Sequence, residues 1–381
     1  MGEVKKRVNY IILFLLCSLL VFPRVSLAEN EETLPLHSEA AVVMDRESGR
    51  TLYNKNMDQQ MYPASITKIV TAIVAIEQAN LDDIVTVTKE ATEVIGTRVY
   101  LLENEQVSLL KLIQGLLINS GNDAGTAIAI HLAGSEEEFA KEMNRFVKDI
   151  IGTHETNFTN PHGLFDENHV TTAYDMAKIT RYAMENPLFR EIVGTKELEW
   201  IGEGWETTLY NHHRLLLSNE YVTGVKNGYV DQSGHTLVTT AKRDGMELIV
   251  VTLKAPSASF AYHDTEALME LGFNDYETGF VYEGERFKTE GGQEFELLED
   301  IRFVKAKEET ISLLVNNSGL LRINNERNER IHTEILDLVP KAIETTAASI
   351  EVPPLAEEVE GSNNQSFFLT DWFSQLFDHF K

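Results

Sequence analysis

The chain is poor in cysteine: the single one among 381 residues is Cys17. It falls in a stretch that reads as an export signal. Lys5, Lys6 and Arg7 form a basic start, Ile11 to Phe22 an apolar middle, and Ser26-Leu27-Ala28 a small-residue cleavage site. Leu16, ahead of Cys17, is not the small residue that a lipid-attachment site wants. The exported chain would then hold no cysteine, which excludes disulfides, thiol nucleophiles and cysteine–metal sites together. Positive charge is also scarce, with 33 Lys and Arg against 60 Asp and Glu and a net charge of −27. Removing residues 1–28 takes away four cations and one anion, so the remainder is more acidic still. A surface of that sign repels nucleic acid and offers no basic patch. Long apolar runs are missing too, because Ile11 to Phe22 is too short to span a bilayer comfortably.

What is present is enough for a full core, with 43% hydrophobic residues. Residues 29–40 read as a polar, acidic leader. Ala40 to Asp45 and Thr51 to Asn54, joined by Glu47-Ser48-Gly49, read as a hairpin. Pro63 then introduces Ser65-Ile66-Thr67-Lys68 and an apolar run, predicting a buried helix from Ser65 to about Ala79. Leu109 to Ile118 and Asp123 to about Leu132 read as two further helices around the polar turn Asn119-Ser120-Gly121-Asn122. A polar turn between apolar helices is forced toward the core or a cleft, although these residue types also suit an ordinary turn. Thr172 with Asp175 resembles a capping box for a helix from Tyr174 to Met184. Val222 to Val230, Thr236 to Ala241 and Leu248 to Leu253 suggest a three-stranded antiparallel sheet with Lys226 on its first strand. Gly228 inside that strand marks a place where a ligand backbone comes close, or else a bulge. Asp264 to Leu271 closes the region as a helix.

Beyond Tyr276 the pattern changes to short β runs broken by turns, giving a small β-rich domain over residues 276–342. Residues 343–366, with five glutamates, two prolines and no basic residue, read as a solvated linker. Residues 367–381 place Leu369, Trp372, Phe373, Leu376 and Phe380 on one helical face. That suits a helix lying in a membrane interface, although the polar face lacks Lys and Arg.

Several residues have chemistry to offer. Ser65 and Lys68, three apart, share one face of a helix, and a desolvated lysine can take a serine's proton. His162 and His169, with Asp166 or Asp175, invite a metal reading, but their spacing matches no helical metal motif; a structural turn histidine is the better expectation.

Ser65-Ile66-Thr67-Lys68, Ser120-Gly121-Asn122 and Lys226-Asn227-Gly228 arrive in order. Together they resemble the S-x-x-K, S-x-N, K-T-G set of penicillin-recognising serine enzymes. The stretches YPASITKIVTAIVA, LLKLIQGLLINSGNDAGTAIA, NFTNPHGLFDENHVTTAYDMA and GVKNGYVDQSGHTLVTTAKRDGMELIVV are similar to serine-type D-alanyl-D-alanine carboxypeptidases, the low-molecular-mass penicillin-binding proteins of the type-5 class. The resemblance implies an α/β catalytic domain over residues 41–275, an antiparallel sheet flanked by helices, followed by the small β domain and an amphipathic C-terminus. It implies Ser65 as nucleophile, Lys68 as base and Ser120 as proton relay. Asn122, Lys226, Asn227, Gly228 and Tyr229 would hold substrate, with the backbone N–H groups of Ser65 and Tyr229 forming the oxyanion hole. No metal or organic cofactor is implied. The partners would be a peptidoglycan stem peptide ending in D-Ala-D-Ala and β-lactams as inhibitors. The expected location is the outer face of the cytoplasmic membrane, or outside the cell. Asn227 departs from the pattern, since the family usually has threonine there. A β-lactamase-like hydrolase and a weakly active or non-catalytic peptidoglycan-binding protein are the alternatives. A Glu-x-x-Leu-Asn segment of the kind class A β-lactamases use is missing between Ser120 and Lys226.

Overall fold

The computed structural model describes residues 34–339. The predicted signal, the linker and the interfacial helix lie outside the described residues, as do residues 29–33 of the leader. The hairpin is present as β1 (Ala40–Asp45) and β2 (Thr51–Lys55). It does not stand alone, because β1 pairs along its whole length with a strand some two hundred residues later.

The helices near the motifs are α1 (Lys68–Gln78), α2 (Leu109–Ile118), α3 (Asn122–Ala133), α4 (Glu136–Phe146) and α5 (Ala173–Ala183). Local chemistry sets several of their starts. The hydroxyls of Ser108, Ser135 and Thr172 each accept an N–H from the first turn of α2, α4 and α5. The helix α4 carries three glutamates in its first turn, which complements the partial positive charge there.

The later strands are β3 (Val222–Val230), β4 (Gly234–Arg243) and β5 (Met246–Ala255), followed by the helix α6 (Ala258–Asp275). The predicted three-stranded sheet is in fact five-stranded, antiparallel throughout, in the order β2-β1-β5-β4-β3. The reason is burial on both sides. Along β1, Ala40, Val42 and Met44 pack with the helical core, while Ala41 and Val43 pack with Leu268, Met269 and Phe273 of α6. Alternating side chains serve two layers, so β1 needs paired neighbours on both edges. The order leaves β3 at an open edge.

Residues 276–339 form short strands around a separate cluster of Val281, Phe295, Phe303, Leu321, Ile323 and Ile331. They belong to the same compact unit as the larger sheet. Val304 packs under that sheet, and the Arg50 guanidinium makes a two-pronged bond to Glu309 at 2.8 and 2.7 Å. Burial alone would raise the Glu309 carboxyl, but Arg50, Asn325 and the Ala306 N–H outweigh it and hold it at about 2. Among the described residues no helix is long and apolar enough to cross a membrane.

Candidate active site

Ser65 does not begin an α-helix. Ala64–Thr67 is a turn of 3₁₀-helix, and α1 starts only at Lys68. Ala64 sits in the left-handed region at φ 51°, and the Thr67 hydroxyl donates back to the Ala64 carbonyl at 2.8 Å. These hold the turn tight. In a 3₁₀ turn residues three apart eclipse each other, which brings Ser65 and Lys68 closer than α-helical spacing alone. Lys68 Nζ lies 3.0 Å from Ser65 Oγ.

Behind this turn sits the segment Pro161-His162-Gly163. Thr71 donates to the Pro161 carbonyl at 2.6 Å. A Cβ on Gly163 would lie 1.9 Å from the Ala64 carbonyl oxygen, so only glycine lets the two segments touch. Thr67 is also bonded to His169 Nε2 at 2.8 Å. His169 Nδ1 accepts the Thr159 N–H at 3.0 Å, so Nε2 carries the proton and donates to Thr67. Burial holds His169 at about 3, which keeps it neutral.

Lys68 is fully buried, and its Nζ faces two more acceptors: Asn122 Oδ1 at 2.7 Å and the His162 carbonyl at 2.8 Å. The Asn122 orientation is set by its own Nδ2, which donates to the Ile95 carbonyl at 2.7 Å. Neither acceptor can return a proton. A neutral amine has two N–H donors and one lone pair, and the two acceptors take both donors. With the amine neutral, its lone pair would face the Ser65 hydroxyl. Burial, and then the nearby charge of Lys226, push Lys68 well below the usual lysine range, against a smaller opposing pull from Asp123.

The edge strand β3 supplies the opposite wall. A Cβ on Gly228 would stand 2.7 Å from the Ser65 backbone nitrogen and 2.6 Å from Thr236 Oγ1. The Val230 N–H turns toward the hairpin end, bonding Ser233 Oγ at 3.1 Å. Backbone groups alternate sides along a strand, so the Tyr229 and Asn227 N–H groups face the open edge, beside Ser65 N. Lys226 is buried and donates to the Asn227 carbonyl at 2.9 Å, with Asn227 Oδ1 at 3.5 Å. Burial lowers it to about 7. Asn227 lines a cleft of about 470 Å³ with Gly228, Tyr229, Arg214 and His212.

Of the residues singled out in the sequence, Ser65, Lys68 and Asn122 are joined directly by hydrogen bonds, and Gly228 lies against Ser65. Ser120 occupies the turn between α2 and α3, buried and in the left-handed region at φ 63°. No described residue bonds its hydroxyl. Backbone strain of this kind concentrates at functional sites. The four residues of the metal reading are held elsewhere. Asp175 accepts from Glu155 N and Thr156 Oγ1, and Asp166 from Asn168 N. His162 Nδ1 accepts the Leu164 N–H at 3.3 Å and its Nε2 lies 3.2 Å from Glu136.

Sequence reasoning missed three contributors. The His162 backbone carbonyl, not its ring, meets Lys68. Asp123 accepts the N–H groups of Val99, Leu101 and Ala124, pinning the loop that carries Ile95. Glu136, bonded by Thr126 and His162, anchors the His162 ring. Only the proximity of Asp123 to Asn122 in the chain hinted at any of these.

The family described as Peptidase_S11, D-alanyl-D-alanine carboxypeptidase, matches residues 27–257. D-alanyl-D-alanine carboxypeptidase DacF of Bacillus subtilis is 33% identical over 263 residues, 67% of each chain. DacC of Escherichia coli, another D-alanyl-D-alanine carboxypeptidase, is 35% identical over 269 residues, 67% of this chain and 66% of its own. Penicillin-binding protein 5 of Haemophilus influenzae superposes with a TM-score of 0.69 at 26% identity, covering 80% of this chain and 97% of that one.

Proposed function

Because the chain belongs to the D-alanyl-D-alanine carboxypeptidase family, we propose that it removes the terminal D-alanine from peptidoglycan stem peptides through an acyl-enzyme on Ser65. The observation that carries this reading is the buried Lys68 amine, 3.0 Å from Ser65 Oγ, with Asn122 Oδ1 and the His162 carbonyl as its other partners. Lys68 takes the Ser65 proton as Oγ attacks the carbonyl between the two D-alanines. The oxyanion forms against the N–H groups of Ser65 and Tyr229, a contribution of about 3 kcal/mol per donor. Ser120 passes a proton to the departing D-alanine amine, and Lys226 faces the substrate's terminal carboxylate. Water then adds to the acyl carbonyl, its proton returning through Lys68, and Ser65 is regenerated. A β-lactam presents a comparable carbonyl and carboxylate, so the same step leaves Ser65 acylated.

Asn227 offers an amide donor where the family usually has a hydroxyl, from a longer side chain and at a different angle. We expect it to lower turnover without removing the nucleophile or the base. An export signal at residues 1–28 and an interfacial helix at 367–381 would place the site at the outer face of the membrane. The test is D-alanine release from a pentapeptide ending in D-Ala-D-Ala, with wild type, Ser65→Ala and Asn227→Thr side by side. Release that survives Ser65→Ala overturns the mechanism. Rapid turnover of a labelled penicillin would favour the β-lactamase-like reading. Absence of any covalent labelling would favour a non-catalytic wall-binding role.

A further inference from the structure

His37, His263 and Asp264 bring three metal-ligating atoms within 4.8 Å of one another, and among the described residues no other such group occurs. Their positions in the fold differ. His37 lies just ahead of β1, whereas His263 and Asp264 lie on α6. Asp264 is fully buried, and its Oδ2 is held by Ser38 through the backbone N–H at 2.6 Å and the hydroxyl at 2.7 Å. Its Oδ1 therefore points at the two imidazoles. His37 Nδ1 lies 3.1 Å from Oδ1 and His263 Nδ1 3.7 Å from it. The His37 ring is stacked on Phe260 with centroids 3.9 Å apart.

We infer that His37, His263 and Asp264 form a zinc-class divalent metal site that clasps the start of the exported chain to α6. Zinc takes imidazole nitrogen and carboxylate oxygen at about 2.0–2.2 Å in a tetrahedron, whose ligand atoms then lie roughly 3.4 Å apart. The spacings of 3.1 and 3.7 Å bracket that edge. Two nitrogens and one oxygen exclude the all-oxygen preference of calcium and magnesium and suit zinc, cobalt or nickel. Two features support the ligands from behind, as metal sites require: Ser38 orients the carboxylate and Phe260 orients one ring. Both imidazoles reach solvent, so an ion can enter and a water completes the fourth position. On binding, the metal replaces the proton that His37 Nδ1 shares with Asp264, and that proton leaves to solvent. The clasp joins residues 227 apart in the chain, so an ion bound only to the folded state raises stability by mass action. The site contains none of the residues assigned to acyl transfer and does not depend on that reading.

The experiment uses the full exported chain, stripped with chelator and then titrated with zinc chloride by calorimetry and thermal melting. A parallel cobalt titration is read by visible absorption. One equivalent of zinc should bind, with a rise in melting temperature. His263→Ala should weaken binding by at least about tenfold and abolish the rise. His154→Ala, an exposed histidine elsewhere, should leave both unchanged. His263 is exposed, so its variant keeps the fold, which penicillin labelling of Ser65 checks separately. No zinc-dependent shift in the wild type, or an equal shift in His263→Ala, overturns the proposal.

Discussion

Replacing Gly228 by alanine tests the site at its narrowest point. The added Cβ would lie 2.7 Å from the Ser65 nitrogen, 2.6 Å from Thr236 Oγ1 and 3.1 Å from the Ala64 Cβ. Ordinary van der Waals contact begins near 3.4 Å, so the overlap with Ser65 is roughly 0.7 Å. Neither neighbour can yield. Ser65 sits in the tight 3₁₀ turn, and the Thr236 hydroxyl is bonded to the Pro63 carbonyl at 2.8 Å. The edge strand β3 is the movable partner, and it would retreat by about the overlap. A misplacement approaching 1 Å costs about 10²-fold in rate, and loss of one oxyanion donor about 10²–10³-fold. We therefore expect Gly228→Ala to acylate about 10²-fold more slowly with a fluorescent penicillin. The loss should fall on the acylation rate constant, while overpacking lowers stability by only about 1–3 kcal/mol. A thermal melt on the same sample shows that the variant is folded. Acylation of folded Gly228→Ala within about threefold of wild type would refute the oxyanion geometry.

The remaining expectations follow from charge and packing. In the proposed mechanism Lys68 must be neutral to act and Lys226 charged to hold a carboxylate. kcat/KM should therefore rise as pH passes the lowered Lys68 value and fall above about 7 as Lys226 loses its proton. A profile flat across neutral pH would contradict these roles. Glu136→Ala frees the His162 ring and with it the carbonyl on Lys68, and should lower acylation about tenfold, whereas Glu136→Gln keeps an acceptor and most of the rate. Equal losses in both would show that the carboxylate's charge, not its hold on His162, matters. Glu309→Ala leaves the Arg50 guanidinium with only the Val304 carbonyl among the described residues and should cost about 1–3 kcal/mol by thermal unfolding. Because the folded Glu309 value is depressed, that stability is present above its unfolded value of 4.5 and fades as pH falls toward about 2.

The ionisable groups of the site illustrate the division between chain and fold. Composition and local pattern carried the acidity, the scarcity of cysteine, the hairpin, the helix over Leu109–Ile118, the Thr172 cap and the order of the three motifs. These depend on residues within a turn or two of each other, so a linear reading reaches them. The five-stranded sheet was legible only as two separate pieces, the hairpin and the last three strands, because pairing of β1 with β5 joins segments with no local signature. The same limit applies to the site. Ser65 and Lys68 could be paired by spacing, but the 3₁₀ turn that eclipses them depends on Gly163 packing against Ala64 from a distant loop.

The sequence by itself determined which groups are available: a serine, two lysines, an asparagine and a glycine at compatible spacings. The tertiary structure decided what state they are in. Burial and Lys226 push Lys68 well below the usual lysine range, the His162 carbonyl and Asn122 hold its amine beside Ser65, and Gly228 brings β3 against Ser65. It also gathered His37 with Asp264 across 227 residues. Desolvation and through-space contact depend on the whole fold, so no window of sequence contains them.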